Sequence, residues 1–204
     1  MTTVRTSTFS KHKPEQESAS RIRHRYMTFH RLARSSNAEL DKIFEQGTRP
    51  ALDLLEGWEF RGWNVSPVTR ALGFQKFKKG FFREAGSHRD DQLHGYNVVV
   101  RQNALSYPHL ALPNELNPKR HGYYLVTPVD ESSRDNFYTN ALLLDYGQGP
   151  KNPIWDPSSV LRDYVVQVEA ENPDLFLGKA YLAVGPARVF SNYFVLERYN
   201  QQGR

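Results

Sequence analysis

Charged side chains interrupt the apolar runs of the predicted strands, and they are the residue types best suited to chemistry. Arg101 could pair with Asp163, and Lys179 with Asp145, because an isolated charge inside a core costs too much free energy to persist. Such an interior pair could fix an acidic group of a ligand or move a proton. An outward, solvated barrel face is the alternative, and the alternation of the sequence leaves both open.

Aromatic and amide residues accompany these positions. A tyrosine offers an apolar ring with a hydroxyl at one end, which suits a pocket for a mostly apolar molecule with a few oxygens. We therefore take Tyr96, Asn97, Tyr123 and Lys179 as candidate ligand-binding residues. The same aromatic residues would equally well fill a plain barrel core.

Histidine gives a weaker indication of chemistry. None of the seven histidines pairs at the spacing of a metal site, so we expect no metal. His94 and His121 begin neighbouring predicted strands and could meet at one rim, where His94 would be a candidate general base. Solvated rim histidines are the alternative. No phosphate-binding or dinucleotide-binding glycine pattern is present, and we expect no cofactor.

Two residues near the ends of the folded region suggest how the elements close. Trp58 lies on the first predicted strand, and Arg198 lies at the end of the apolar face of the last. The first and last strands of a closed barrel are neighbours, so Arg198 could stack on the Trp58 indole and close the barrel floor. Two unrelated core and surface residues would be the alternative.

A Gly-Trp at the first strand, preceded by a short helix, and an Arg on the last strand resemble the calycin superfamily. That superfamily includes lipocalins, fatty-acid-binding proteins and GXWXG-type domains, although Gly57 and Trp58 are adjacent here. The resemblance implies a β-barrel with a Trp–Arg contact at its closed end and a small apolar ligand inside. It covers residues 37–199 and implies a structural role for Trp58 and Arg198.

Short aromatic or β-branched runs bounded by turn residues support this architecture. We predict an eight-stranded antiparallel up-and-down barrel with a short N-terminal helical segment. The predicted strands are 57–64, 74–84, 93–103, 121–128, 140–146, 160–169, 176–184 and 189–199. Ser36 and Glu39 form a capping box for a helix over 37–46, which we place near the closed end. Loops 104–120 and 147–159 are expected at the mouth.

The positive charge is concentrated at the N-terminus. Of the 27 Lys and Arg residues, eight lie in residues 1–35 against two acidic residues, which leaves the remainder nearly neutral. We expect residues 1–35 to be a basic arm, partly disordered or helical, and residues 36–204 to be one barrel domain. An apolar spacing over 21–34 predicts a helix whose apolar face docks on the barrel. The chain has no run long enough for a transmembrane helix and no cysteine, and we expect a cytoplasmic protein.

These observations favour binding of a small hydrophobic or amphipathic molecule inside a barrel. A cofactor-independent isomerase, cyclase or hydro-lyase using the same cavity is one alternative, with Arg101, Asp163 or His94 as the catalytic candidates. An interaction module that binds polyanions through the basic arm is another, but the neutral body does not favour nucleic acid as the main partner. The ligand, the reaction and the oligomeric state stay open.

Overall fold

Eight antiparallel strands form one closed barrel, as the sequence predicts. The computed structural model describes residues 26–86, 89–153 and 155–202. The strands are β1 (Trp58–Asn64), β2 (Lys76–Phe82), β3 (Leu93–Val99), β4 (Arg120–Pro128), β5 (Leu142–Asp145), β6 (Leu161–Gln167), β7 (Leu175–Val184) and β8 (Ala187–Gln201). Each strand pairs with its sequence neighbours, and β8 pairs with β1. The barrel therefore leaves no unpaired sheet edge.

Three short helices accompany the barrel: α1 (Phe29–Leu32), α2 (Asn37–Gln46) and α3 (Pro67–Ala71). The α2 helix has the predicted bounds because the Ser36 hydroxyl accepts a hydrogen bond from the Glu39 amide at 3.3 Å. The α3 helix begins in the same way, with the Ser66 hydroxyl as cap and Pro67 at its first position. Among the described residues, no helix is long and apolar enough to cross a membrane.

The last part of the predicted N-terminal arm packs against the barrel. Phe29 and Leu32 of α1 are fully buried, together with Leu40 and Phe44 of α2 and the outer face of β7 and β8. This burial agrees with an apolar helical face docked on the body. Residues 1–25, which carry most of the predicted basic arm, lie outside the described residues.

Trp58 and Arg198 meet at the end of the barrel where β1 begins and β8 ends. The guanidinium carbon of Arg198 lies 4.5 Å from the centre of the Trp58 ring. The same side chain donates hydrogen bonds to the Asp174 carboxylate at 2.6 Å and to the Leu54 carbonyl oxygen at 2.9 Å. Inside this end, Phe60 packs edge-to-face against Phe81 and Phe176, so this half of the interior is filled.

Replacing Arg198 by alanine is expected to lower the free energy of unfolding by about 1–3 kcal/mol, because the ring contact and the hydrogen bonds at the closed end are lost together. Urea unfolding measures the change. Arg101→Ala is the matched control, since Arg101 is exposed. Equal effects of the two substitutions would show that the closed-end contact does not stabilise the barrel.

The segment that follows β3 lies on the outer wall of the barrel, so its expected place at the mouth is wrong. Lys76 of β2 donates hydrogen bonds to the carbonyl oxygens of Ala104 at 3.2 Å and Tyr107 at 2.9 Å. The buried ring of His109 contacts the Gly62 carbonyl oxygen through Nε2 at 3.0 Å. The buried ammonium of Lys76 needs oxygen partners, and this loop supplies them.

Because the ring of His109 is buried, we expect the docking of this loop to be sensitive to acid. Burial, assisted by the nearby Lys76 charge, lowers the pKa of His109 to about 3. Below pH 6.5 the unfolded chain binds a proton at this ring that the folded chain does not, so stability falls as the pH falls from 6.5 towards 3. The resulting loss in the free energy of unfolding reaches up to about 5 kcal/mol at pH 3.

His109→Gln is expected to flatten this part of the stability profile while keeping a donor for the Gly62 carbonyl oxygen. Urea unfolding at several pH values between 7 and 4 measures the slope, and His30→Gln, at a half-buried histidine that packs edge-to-face against Phe29, is the control variant. Parallel profiles for the wild type and His109→Gln would contradict the assignment.

Candidate functional site

The half of the barrel opposite the Trp58–Arg198 contact encloses a cavity of about 460 Å³. Its volume is within the range of small-molecule sites. Apolar side chains from strands around the barrel form much of the wall: Phe77, Val99, Leu161, Ala180 and Phe194. Because one end of the barrel interior is filled and the other is open, the cavity is a pocket with a single mouth.

Lys79 is brought to the inner end of this cavity by the alternation of β2. Phe77, Lys79 and Phe81 point inward, whereas Lys76 and Lys78 point outward. The Lys79 side chain is buried and its ammonium donates to three oxygens: Asp163 Oδ2 at 3.0 Å, Asn97 Oδ1 at 3.1 Å and the Tyr146 hydroxyl. An ammonium group has three protons, so its donor capacity is fully used.

Tyr146, Asp163 and Asn97 complete a connected network around this lysine. The Tyr146 hydroxyl donates to Asp163 Oδ2 at 3.1 Å and accepts from Asn97 Nδ2 at 3.2 Å. The second amide proton of Asn97 is donated to the Gly122 carbonyl oxygen at 3.1 Å. Asp163 Oδ1, by contrast, is buried without a hydrogen-bond partner among the described residues. The one unused group in the network is therefore an acceptor.

Burial dominates the electrostatics of the network. Loss of hydration lowers the pKa of Lys79, and the Asp163 carboxylate opposes that change. Burial also raises the pKa of the Tyr146 hydroxyl well above its usual value. The ring of Tyr124 lies 4.7 Å from Lys79 Nζ and favours the charged ammonium, whereas Tyr146 contacts the ammonium through its hydroxyl.

The α3 helix and the residues after it lie at the rim of the cavity. Thr69, Gly73 and Phe74 line the opening, and Gly73 has a φ of +79°, which favours glycine. Asn64 of β1 donates to the Phe74 carbonyl oxygen at 2.7 Å, and Asn192 of β8 donates to Asn64 Oδ1 at 3.1 Å. Amides of the wall thus hold the segment that borders the mouth. Of the described residues of loop 147–159, which was expected at the mouth, none lines the cavity.

Of the candidate binding residues, the structure places Asn97 in the cavity and the others elsewhere. Tyr96 lies on the outer face of β3, where its hydroxyl donates to Glu59 Oε1 at 2.9 Å. Tyr123 packs against that outer cluster. Tyr96 and Asn97 are adjacent on β3 and therefore point to opposite faces. The register shift opposite Gly95 and Asn97 places one extra residue in β4, so that Tyr124 and His121 both face the interior.

The structure also replaces both proposed ion pairs. Asp163 lines the cavity but pairs with Lys79, while Arg101 lies exposed beyond the end of β3. Lys179 lies on the outer wall beneath α2, where it pairs with the Asp41 carboxylate and donates to the Tyr138 hydroxyl at 3.1 Å.

Asp145, expected as the partner of Lys179, is instead 3.0 Å from Arg162 Nη1. Each buried charge of these predicted pairs therefore has another partner: Asp163 pairs across the barrel with Lys79, Lys179 pairs with Asp41 of α2, and Asp145 pairs with its sheet neighbour Arg162. The chemistry of pairing was anticipated from the sequence, whereas the identity of the partners was not.

His94 and His121 do not meet at one rim. Neighbouring antiparallel strands start at opposite ends, and in the ladder His94 lies opposite Leu125 while His121 lies opposite Asn97. His121 lines the cavity mouth, and His94 Nε2 lies 3.6 Å from Glu84. The residues that the structure describes contain no cluster of His, Cys, Asp and Glu able to hold a metal ion.

Lys79 and Tyr146 belong to the candidate site and were not predicted from the sequence. A usable signal for Lys79 was present, since it alternates with Phe77 and Phe81 at the period of a strand face. Two further lysines in the same strand hid it by making the whole segment resemble a solvated surface.

Comparison of the chain with models of known protein families and with the curated proteins finds no match. Function is therefore inferred from the geometry of the cavity and the chemistry of the residues that line it.

Proposed function

We propose that the protein binds a small, mostly apolar molecule inside the barrel. The observation that carries the proposal is the cavity of about 460 Å³, which has apolar walls and a polar network confined to its inner end. Apolar walls supply free energy of binding by removing ligand surface from water, and the few polar groups fix its orientation. The closed barrel and the Trp58–Arg198 contact also support grouping the chain with calycin-like proteins.

An enzyme that moves a proton in the same cavity is the second candidate, and Asp163 Oδ1 is the observation in its favour, since it has no hydrogen-bond partner within the described chain. A proton abstracted next to a carbonyl leaves an oxyanion that needs a donor. Lys79 has all three of its protons engaged, and the Tyr146 proton is directed to Asp163. Binding therefore fits the hydrogen bonds of the network better than proton transfer does.

Titration with N-phenyl-1-naphthylamine tests the binding proposal, because the fluorescence of this neutral probe rises in apolar surroundings. We expect a saturable rise with one molecule bound per chain, and competition by other small apolar compounds. A linear, unsaturable rise, or no rise at all, would contradict the proposal. Native mass spectrometry of the same mixture checks the stoichiometry independently of fluorescence.

A further inference from the structure

We infer that the cavity prefers neutral, hydroxyl-bearing ligands to carboxylates and ammonium ions of the same skeleton, an inference that rests on the proposed function. Lys79 Nζ and Asp163 Oδ2 are 3.0 Å apart at the inner end. Together the two groups carry no net charge, whether their shared proton resides on the amine or on the carboxyl. The inner end therefore offers no uncompensated charge to pair with an ionic ligand.

The second lysine of the cavity lining is engaged as well. Lys76 borders the opening, but its side chain points outward, and its ammonium shares its protons among Asn103 Oδ1 and the carbonyl oxygens of Ala104, Tyr107 and Pro108 in the outer-wall loop. A bound carboxylate would thus lose its hydration without gaining a free cation, and it would lie near the Asp163 carboxylate. Burial of an unpaired charge is strongly unfavourable.

Two acceptors on the cavity wall favour a ligand that donates a hydrogen bond. Asp163 Oδ1 and Asn192 Oδ1 are both buried, and neither has a hydrogen-bond partner within the described residues. In the sheet, Asp163 pairs with Ala180 and Ala180 pairs with Asn192, so the two acceptors flank one small side chain. A flat skeleton packed over Ala180 would bring a hydroxyl group beside either acceptor. A hydrogen bond from that hydroxyl would satisfy an acceptor whose burial without a partner is costly.

Four naphthalene derivatives that differ in one substituent test this preference in the whole protein at pH 7: 2-naphthalenemethanol, 2-(methoxymethyl)naphthalene, 2-naphthoate and 2-naphthylmethylammonium. Isothermal titration calorimetry measures each affinity. We expect the alcohol to bind at least about tenfold more tightly than either ion, and more tightly than the methyl ether, which has no donor. An equal or higher affinity for 2-naphthoate overturns the charge selectivity, and an equal affinity for the ether overturns the donor preference.

The failure of this inference is distinguishable from the failure of the proposed function. If N-phenyl-1-naphthylamine binds but the alcohol shows no preference over the ions, the inference falls and the binding function stands. If neither the probe nor any of the four compounds binds, the proposed function itself falls.

Asp163→Asn identifies the group responsible for rejecting carboxylates. The substitution removes the negative charge, so the preference for the alcohol over 2-naphthoate is expected to narrow at least about threefold. Asp53→Asn, at a side chain with 92% exposure, is the matched control and should leave the preference unchanged. Circular dichroism confirms that each variant is folded. A preference that stays the same in folded Asp163→Asn overturns the role of Asp163, and the ligand series on the wild type tests the selectivity independently of any variant.

Discussion

Replacing Lys79 by methionine is expected to lower the free energy of unfolding by about 3–5 kcal/mol. The substitution leaves Asp163 as a buried carboxylate whose only charged partner, within the described residues, has been removed. It also removes one of the two donors that the Tyr146 hydroxyl accepts from. Urea unfolding followed by circular dichroism measures the loss.

The double substitution Lys79→Met with Asp163→Leu separates pairing from packing. If Lys79→Met destabilises the fold because it leaves the Asp163 carboxylate buried without a cation, removing that carboxylate should recover most of the stability. Buried ion pairs are often replaced by apolar residues at little cost. Lys119→Met, at an exposed lysine, is the control for loss of a lysine. A double variant that is no more stable than Lys79→Met would show that the charge pair does not explain the effect.

Filling the cavity is expected to have the largest effect on binding. Ala180→Trp projects an indole ring into the space between Asp163 and Asn192, because Ala180 lines the cavity and lies between them in the sheet. Affinity for N-phenyl-1-naphthylamine should fall by about 100-fold, equivalent to about 2.8 kcal/mol. Fluorescence titration measures the loss.

Ala187→Trp provides the matched control, since Ala187 is exposed at the start of β8 and does not line the cavity. This variant should bind the probe as the wild type does. Thermal unfolding should show that both variants fold, because the ring in Ala180→Trp enters existing space. Unchanged binding by folded Ala180→Trp would place the probe outside the barrel.

The fold follows from local patterns that the sequence states clearly. The Ser36 side-chain cap determined the start of α2, and strand-period runs separated by turn residues indicated all eight strands. The placement of loop 104–120 could not be predicted in this way. Its position depends on the outward Lys76 and the carbonyl oxygens that bind it, which are contacts between distant parts of the chain.

The site was harder to predict than the fold because it depends on which face of each strand points inward. The alternation of β3 turns Tyr96 outward and Asn97 inward. The extra residue of β4 at the register shift brings both Tyr124 and His121 to the interior, and no periodic pattern locates such a bulge. Gly95 has no side chain because the Tyr124 ring packs against its backbone, and a Cβ there would lie 2.0 Å from that ring. Asp163 was recognised as a buried charge that needs a partner, but the choice of Lys79 required the closed barrel.

The position of a bound molecule shows whether the barrel cavity is the binding site. A crystal structure of the protein soaked with 6-bromo-2-naphthol would locate the bromine by its anomalous signal without assumptions about the ligand pose. Binding inside the barrel predicts a bromine peak among Phe77, Ala180 and Phe194, with the hydroxyl of the compound beside Asp163 or Asn192. A peak found only on the outer wall, such as the groove beside Asp41 and Lys179, would contradict the account.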